Sequence, residues 1–116
     1  MRVLVCDDEP DIRLLYRTAF ENAGAKVAVA ADGETVVAVA LDFQPDLVVL
    51  DLKMPRRSGI DAYPGVRAAA PDARIIVVSA HLTLEKFSRL HDLGANECFD
   101  QLDFLGRIPA LVGAPA

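Results

Sequence analysis

A chain of 116 residues with 53% hydrophobic content is sized for one domain around one compact core. Its net charge of −5 and pI near 4.8 set it against phosphate backbones and anionic lipid, which excludes a bare nucleic-acid binder. No apolar run approaches the roughly 20 residues that span a bilayer, and MRVLV passes straight into CDDE without a secretory pattern, so a soluble, cytoplasmic protein is expected.

The first element is RVLVC (2–6), a continuous apolar run of the kind found in strands covered on both faces. Ile12, Leu15, Tyr16, Ala19 and Phe20 then recur at helical spacing, and Gly24 follows as a C-terminal cap. KVAVA (26–30) predicts a second strand, and residues 34–43 a second helix that stops before Gln44-Pro45. LVVL (47–50) predicts a third strand that runs into Asp51. The segment SGIDAYPGVRAAAP is harder, because Pro64 and Gly65 fall where a helix interior belongs. A start near Asp61 puts Pro64 in the first turn and leaves the helix short or kinked. RIIVVS (74–79) predicts a fourth strand, 83–93 a helix capped by Thr83 and closed by Gly94, and ECF (97–99) a weaker fifth strand. A last helix over 103–112 is weakened by Gly106 and Pro109, and GAPA reads as a tail. Cys6 and Cys98 lie in apolar segments without CxxC or His/Cys metal spacing, so both are expected as buried, reduced thiols.

Strands and helices in alternation predict an α/β fold with a five-stranded parallel sheet, right-handed crossovers and helices on both faces. Ligands of such sheets bind outside the carboxyl ends of the strands. Asp7 and Asp8, Asp51, Ser79, and Asp100 with Gln101 all follow strand ends, so separate pieces of the chain converge on one edge. Any single acidic residue after a strand is commonly a solvated loop residue, since Asp is favoured in turns. The joint placement on different strands is what argues for a site.

Neighbouring carboxylates repel one another and call for a cation. An all-oxygen set suits Mg²⁺, or Mn²⁺, better than zinc. With the ion bound, one carboxylate can act as nucleophile while the metal neutralises an incoming phosphoryl group. Asp51 is the best nucleophile, because it stands alone at a central strand's end while the adjacent pair can hold the metal. Ser79 can donate its hydroxyl to a phosphoryl oxygen, and the small Ala80 leaves room for the group.

VLVCDDEPDIR, PDLVVLDLKMPRRSGID, IIVVSA and GANECFD together resemble the response regulator receiver domain of two-component signalling, over essentially the whole chain (1–116, one receiver domain). The resemblance implies a flavodoxin-like (βα)5 fold and a phosphoacceptor in a phosphorelay, not an enzyme with turnover on a metabolite. Asp51 would accept a phosphoryl group from a histidine kinase or histidine phosphotransfer protein. Asp7, Asp8, Asp51 and the backbone carbonyl of Lys53 would hold Mg²⁺. Ser79 would take the place of the family's switch Ser/Thr, and Pro55 would shape the loop after the phosphoacceptor. The output partner is not named by the sequence, and a homodimer is left open.

The sequence also departs from the family. Gln101 stands where a lysine pairs with the phosphoryl group, and Leu102 where proline is common. A charge pair at ~4 Å is worth about 4 kcal/mol at an effective dielectric near 20, before desolvation is subtracted. A neutral amide donor is roughly half as strong as a charged one. Cys98 stands where the fifth-strand aromatic is usual, and Phe99 should face the other side of the sheet. Lys53 and His81 occupy the two positions that tune phosphoryl arrival and loss in the family, and Lys53, or Arg56, is a candidate replacement for the missing charge. Solvated loop cations of that kind are commoner than functional ones. His91 is expected to have no chemical role.

Two other readings compete. A pseudo-receiver would act as a phosphorylation-independent interaction module, as Gln101 and Cys98 suggest. A flavin binder or phosphohydrolase on the same fold class is disfavoured, because CDDEPD presents carboxylates where a phosphate cradle would be and nothing else reads as a substrate domain.

Overall fold

The computed structural model describes residues 1–54, 56–80, 82–95 and 97–113. Pro55, His81 and the last three residues of the GAPA tail lie outside them, so the expectations placed on those residues carry no structural account. Five strands and five helices alternate: β1 (Arg2–Cys6), α1 (Pro10–Asn22), β2 (Lys26–Ala30), α2 (Thr35–Phe43), β3 (Leu47–Asp51), α3 (Gly59–Ala69), β4 (Arg74–Ser79), α4 (Leu84–Asp92), β5 (Cys98–Asp100) and α5 (Gln101–Gly113). All strand pairs are parallel, in the order β2-β1-β3-β4-β5. That is the flavodoxin-like order, with its switch point between β1 and β3.

The sheet separates two cores by simple alternation along each strand. Leu4, Cys6, Val48, Leu50, Ile75 and Val77 pack on one face with Val36, Ala40, Ala62, Val66 and Leu90 of α2, α3 and α4. Val3, Val5, Val49, Ile76 and Val78 pack on the other with Tyr16, Phe20, Phe104 and Ile108 of α1 and α5. Cys98 belongs to the first face and Phe99 to the second, as expected from their adjacency. Cys6 is buried, whereas Cys98 is only half-buried; both thiols are free.

Glycine caps end two helices. Gly24 (φ 99°) and Gly94 (φ 92°) each take the left-handed conformation, and the following amides of Ala25 and Ala95 reach back to the carbonyls of Phe20 and Leu90 at 3.0 and 2.9 Å. Thr83 caps α4 as expected, its hydroxyl accepting from the Lys86 N–H at 3.2 Å.

Three boundaries differ from the sequence reading. α3 begins at Gly59 rather than near Asp61, because Ser58 Oγ accepts from the Asp61 N–H at 3.2 Å and sets the start two residues earlier. Pro64 is therefore in the helix interior, and the helix continues through it to Ala69. β5 is displaced by one residue to 98–100, with Val77 opposite Cys98; the Glu97 carbonyl still accepts from the Val77 N–H at 2.8 Å while its carboxylate grips Arg74 (2.6–3.0 Å). α5 starts directly at Gln101, where Asp100 Oδ1 accepts from the Leu102 N–H at 3.0 Å. Phe104 and Ile108, both fully buried, hold α5 in place despite Gly106 and Pro109.

Candidate functional site

β1 and β3 are the two central strands flanking the switch point, and their apolar runs are completely buried up to the residues that matter. The chain then changes chemistry. Asp7, immediately after β1, is 2% exposed and Asp51, the last residue of β3, is 7% exposed. Asp8 is exposed at their side, and one carboxylate oxygen from each of the three lies within 4.8 Å of the others. Such a compact set of oxygen donors fits a hard divalent ion and offers nothing soft for zinc.

Backbone donors fix two of these carboxylates. Asp7 Oδ1 accepts from the Glu9 N–H at 3.0 Å, and Asp51 Oδ1 from the Lys53 N–H at 3.3 Å. Arg13 donates to the Asp7 carbonyl at 2.8 Å and so braces α1 against the end of β1. Burial pushes the Asp51 carboxyl up to about 7; the charge of Asp7 adds to this, the Lys53 N–H opposes it, and Asp8 raises it further. Burial likewise raises Asp7 to about 6, against the pull of the Glu9 N–H, while Asp8 and Glu9 add repulsion and Arg13 offsets part of it. The site therefore holds more negative charge than it can comfortably ionise, which is the condition that draws in a cation.

Around the carboxylates lies a hollow of about 170 Å³ lined by Asp8, Glu9, Asp51, Lys53, Ser79, Ala80, Lys86 and Gln101. Ser79 and Ala80 come from the end of β4 and Gln101 from the first turn of α5, so the predicted convergence of strand ends is present. A larger groove of about 360 Å³ between α3 and α4 brings together Ile60, Asp61, Pro64, Arg89, Asp92 and Leu93, away from the strand ends. Arg56 is not on the hollow. It sits at positive φ (66°) with its guanidinium 3.1 Å from Asp32 Oδ2. Asp32 also accepts from the Thr35 and Glu34 amides, and these bonds, Thr35 first, hold its carboxyl below the ordinary value.

Two residues that shape the site escaped the sequence reading. Gly59 packs against the Asp51 carbonyl so closely that a Cβ would collide with it, and its N–H donates to the Leu52 carbonyl at 2.9 Å. This contact folds the loop after Asp51 back onto the strand. Lys86 reaches the hollow from α4, and the available signal was a lysine in the first helical turn, where the macrodipole favours an acid. Cys6 lies next to this region, 3.1 Å from Met54 Sδ, but burial pushes its thiol well above the ordinary range and leaves it unreactive.

Fold and site together define a flavodoxin-like α/β domain with an acidic hollow at its switch point. The chain belongs to the response regulator receiver domain family, whose pattern it matches over residues 3–101. It is 41% identical over 105 residues to the protein-glutamate methylesterase/protein-glutamine glutaminase 5 of Geobacter metallireducens, a match covering 89% of this chain and 27% of that protein. It is 30% identical over 94 residues to the sporulation initiation phosphotransferase F of Bacillus subtilis, covering 81% of this chain and 76% of the relative. The chain thus spans about a quarter of the length of the methylesterase relatives. Among solved structures, a Burkholderia pseudomallei response regulator with a phosphorylated aspartic acid, a calcium ion and citrate superposes with a TM-score of 0.87 at 21% identity, covering 96% of this chain and 65% of that one. A response regulator receiver domain protein from Methanospirillum hungatei JF-1 gives a TM-score of 0.84 at 22% identity, covering 97% and 93%. At these identities the structural likeness establishes the fold. No helix among the described residues is long and apolar enough to cross a membrane.

Proposed function

We propose that residues 1–116 act as one cytoplasmic receiver domain in which Asp51 accepts a phosphoryl group from a histidine kinase or histidine phosphotransfer protein. The observation that carries this reading is the meeting of Asp7, Asp8 and Asp51 within 4.8 Å at the base of a hollow that Ser79, Ala80 and Gln101 also line. Asp7, Asp8, Asp51 and the Lys53 carbonyl would hold Mg²⁺, or Mn²⁺ in its place. When bound, the ion supplies positive charge against the phosphoryl oxygens and against the carboxylates.

The chain's own groups divide the remaining work. An Asp51 carboxylate oxygen attacks phosphorus, forming a P–O bond as the N–P bond to the donor imidazole breaks and the nitrogen leaves with the electron pair. The Lys53 N–H holds the other Asp51 oxygen in place. The Ser79 hydroxyl donates to a phosphoryl oxygen, Ala80 leaves space beside it, and the Gln101 amide offers a neutral donor. Lys53 lines the hollow and, with His81, tunes phosphoryl arrival and loss. The domain turns over no metabolite; its product is its own acyl phosphate.

Incubation with Mg²⁺ and acetyl phosphate, followed by intact mass measurement, tests this. One phosphoryl mass gain is expected on the wild type and none on Asp51→Asn. No gain on the wild type, or an equal gain on the variant, overturns it.

A further inference from the structure

We propose that Lys86 is the cation that binds the phosphoryl oxygens in this protein, reaching across the hollow from the N-terminal turn of α4. The assignment rests on the reading of Asp51 as phosphoacceptor. The chain contains three lysines, and two of them, Lys53 and Lys86, line the one hollow that contains Asp51 and Ser79 among the described residues. The two differ in how they meet it. Lys53 follows Asp51 by two residues and uses its amide on Asp51 Oδ1, while its side chain is exposed. Lys86 is half-buried, although its neighbours Glu85 and Phe87 on the same helix are exposed.

Lys86 is also badly placed for helix stability alone. It occupies the third position of α4, where the unpaired amides already carry partial positive charge and an acid is favoured. Its own amide is satisfied by Thr83 Oγ1, which fixes the first turn and therefore the direction from which the side chain leaves the helix. The helix terminus and the ammonium are both positive, and Lys86 lines the hollow together with Asp8 and Asp51. Across the hollow, Gln101 supplies an amide without charge, and Arg56 is engaged with Asp32 elsewhere. A phosphoryl group on Asp51 adds negative charge where Lys86 can meet it, and a charge-assisted bond of this kind is typically twice as strong as a neutral one.

The test follows phosphorylation by acetyl phosphate with Mg²⁺, the lifetime of the aspartyl phosphate, and beryllofluoride affinity. It compares wild type, Lys86→Met, Lys86→Arg and Asp51→Asn. Lys86→Met keeps the length and helix propensity of the side chain, and thermal unfolding checks that the variant folds. We expect about a tenfold loss in phosphorylation rate and beryllofluoride affinity for Lys86→Met, with substantial recovery in Lys86→Arg. Because Gln101 lines the same hollow, Gln101→Lys should restore most of the loss when combined with Lys86→Met. Wild-type rate, lifetime and affinity in Lys86→Met overturn the assignment while leaving Asp51 as acceptor. No phosphoryl gain on the wild type overturns both.

Discussion

Replacing Asp51 by Asn should stabilise the metal-free protein, and should do so only above mildly acidic pH. In the unfolded chain this carboxyl titrates near 3.8; in the folded protein burial and the charge of Asp7 raise it to about 7. Between those values the folded state binds more protons than the unfolded state, so stability falls as pH rises through the window and the penalty is complete above about pH 7. Each pH unit corresponds to about 1.4 kcal/mol, which makes the fully ionised penalty about 4 kcal/mol, and solvent entering through the mouth of the hollow reduces it to about 2–3 kcal/mol. Asn keeps the shape and an oxygen for the Lys53 N–H while removing the charge. Urea denaturation in EDTA at pH 4.5 and pH 8 is the assay, with m-values compared to exclude a change in the unfolded state. The variant should exceed wild type by about 2–3 kcal/mol at pH 8 and by only about 1 kcal/mol at pH 4.5. Equal pH slopes in the two proteins, or a less stable variant at pH 8, would refute the argument that repulsion and burial dominate this site.

Mg²⁺ should raise the melting temperature of the wild type, since a ligand at 100 times its Kd adds about 2.7 kcal/mol, and calorimetry should show a smaller rise for Asp51→Asn. Gly59→Ala should cost about 1–3 kcal/mol by denaturation and slow phosphorylation, because its Cβ meets the Asp51 carbonyl. Phe104→Ala should cost about 3–5 kcal/mol in the same denaturation assay; its ring is fully buried and lies edge-on to Tyr16 at 5.3 Å. Arg56→Ala should change stability by less than about 1 kcal/mol, because its partner Asp32 is met by an exposed guanidinium, and should leave the phosphorylation rate unchanged.

The parts of the fold that were readable in the sequence are those where one local rule has no competitor. Val3 to Val5 and Val48 to Leu50 are apolar without interruption because both faces of β1 and β3 are covered, and a strand so marked also announces where its chemistry begins, at Asp7 and Asp51. α3 was misjudged because Pro64 is the more conspicuous residue, whereas Ser58 sets the start by a single hydrogen bond. At β5 the one-residue offset follows the register with β4, which sets Cys98 opposite Val77 and Asp100 opposite Ser79, a long-range pairing that no local pattern encodes. Lys86 lies 35 positions beyond Asp51, and only the crossover of β4 into α4 brings the two to one hollow.

That crossover gives α4 an unusual mechanical standing. It buries Leu90 alone, while Leu84 and Phe87 face outward at 85% and 43% exposure. Burial of one leucine is worth about 1.5–3 kcal/mol, and a charge pair at ~4 Å is worth about 4 kcal/mol at an effective dielectric near 20. Before desolvation is subtracted, the tether and the pull are of the same order. α4 is therefore lightly held, with Lys86 on the hollow and its apolar side toward solvent, and charge gained at Asp51 is expected to pull on it. Hydrogen exchange would register this as α4 amides that open before those of α1 in the free protein and slow down once the anion is in place.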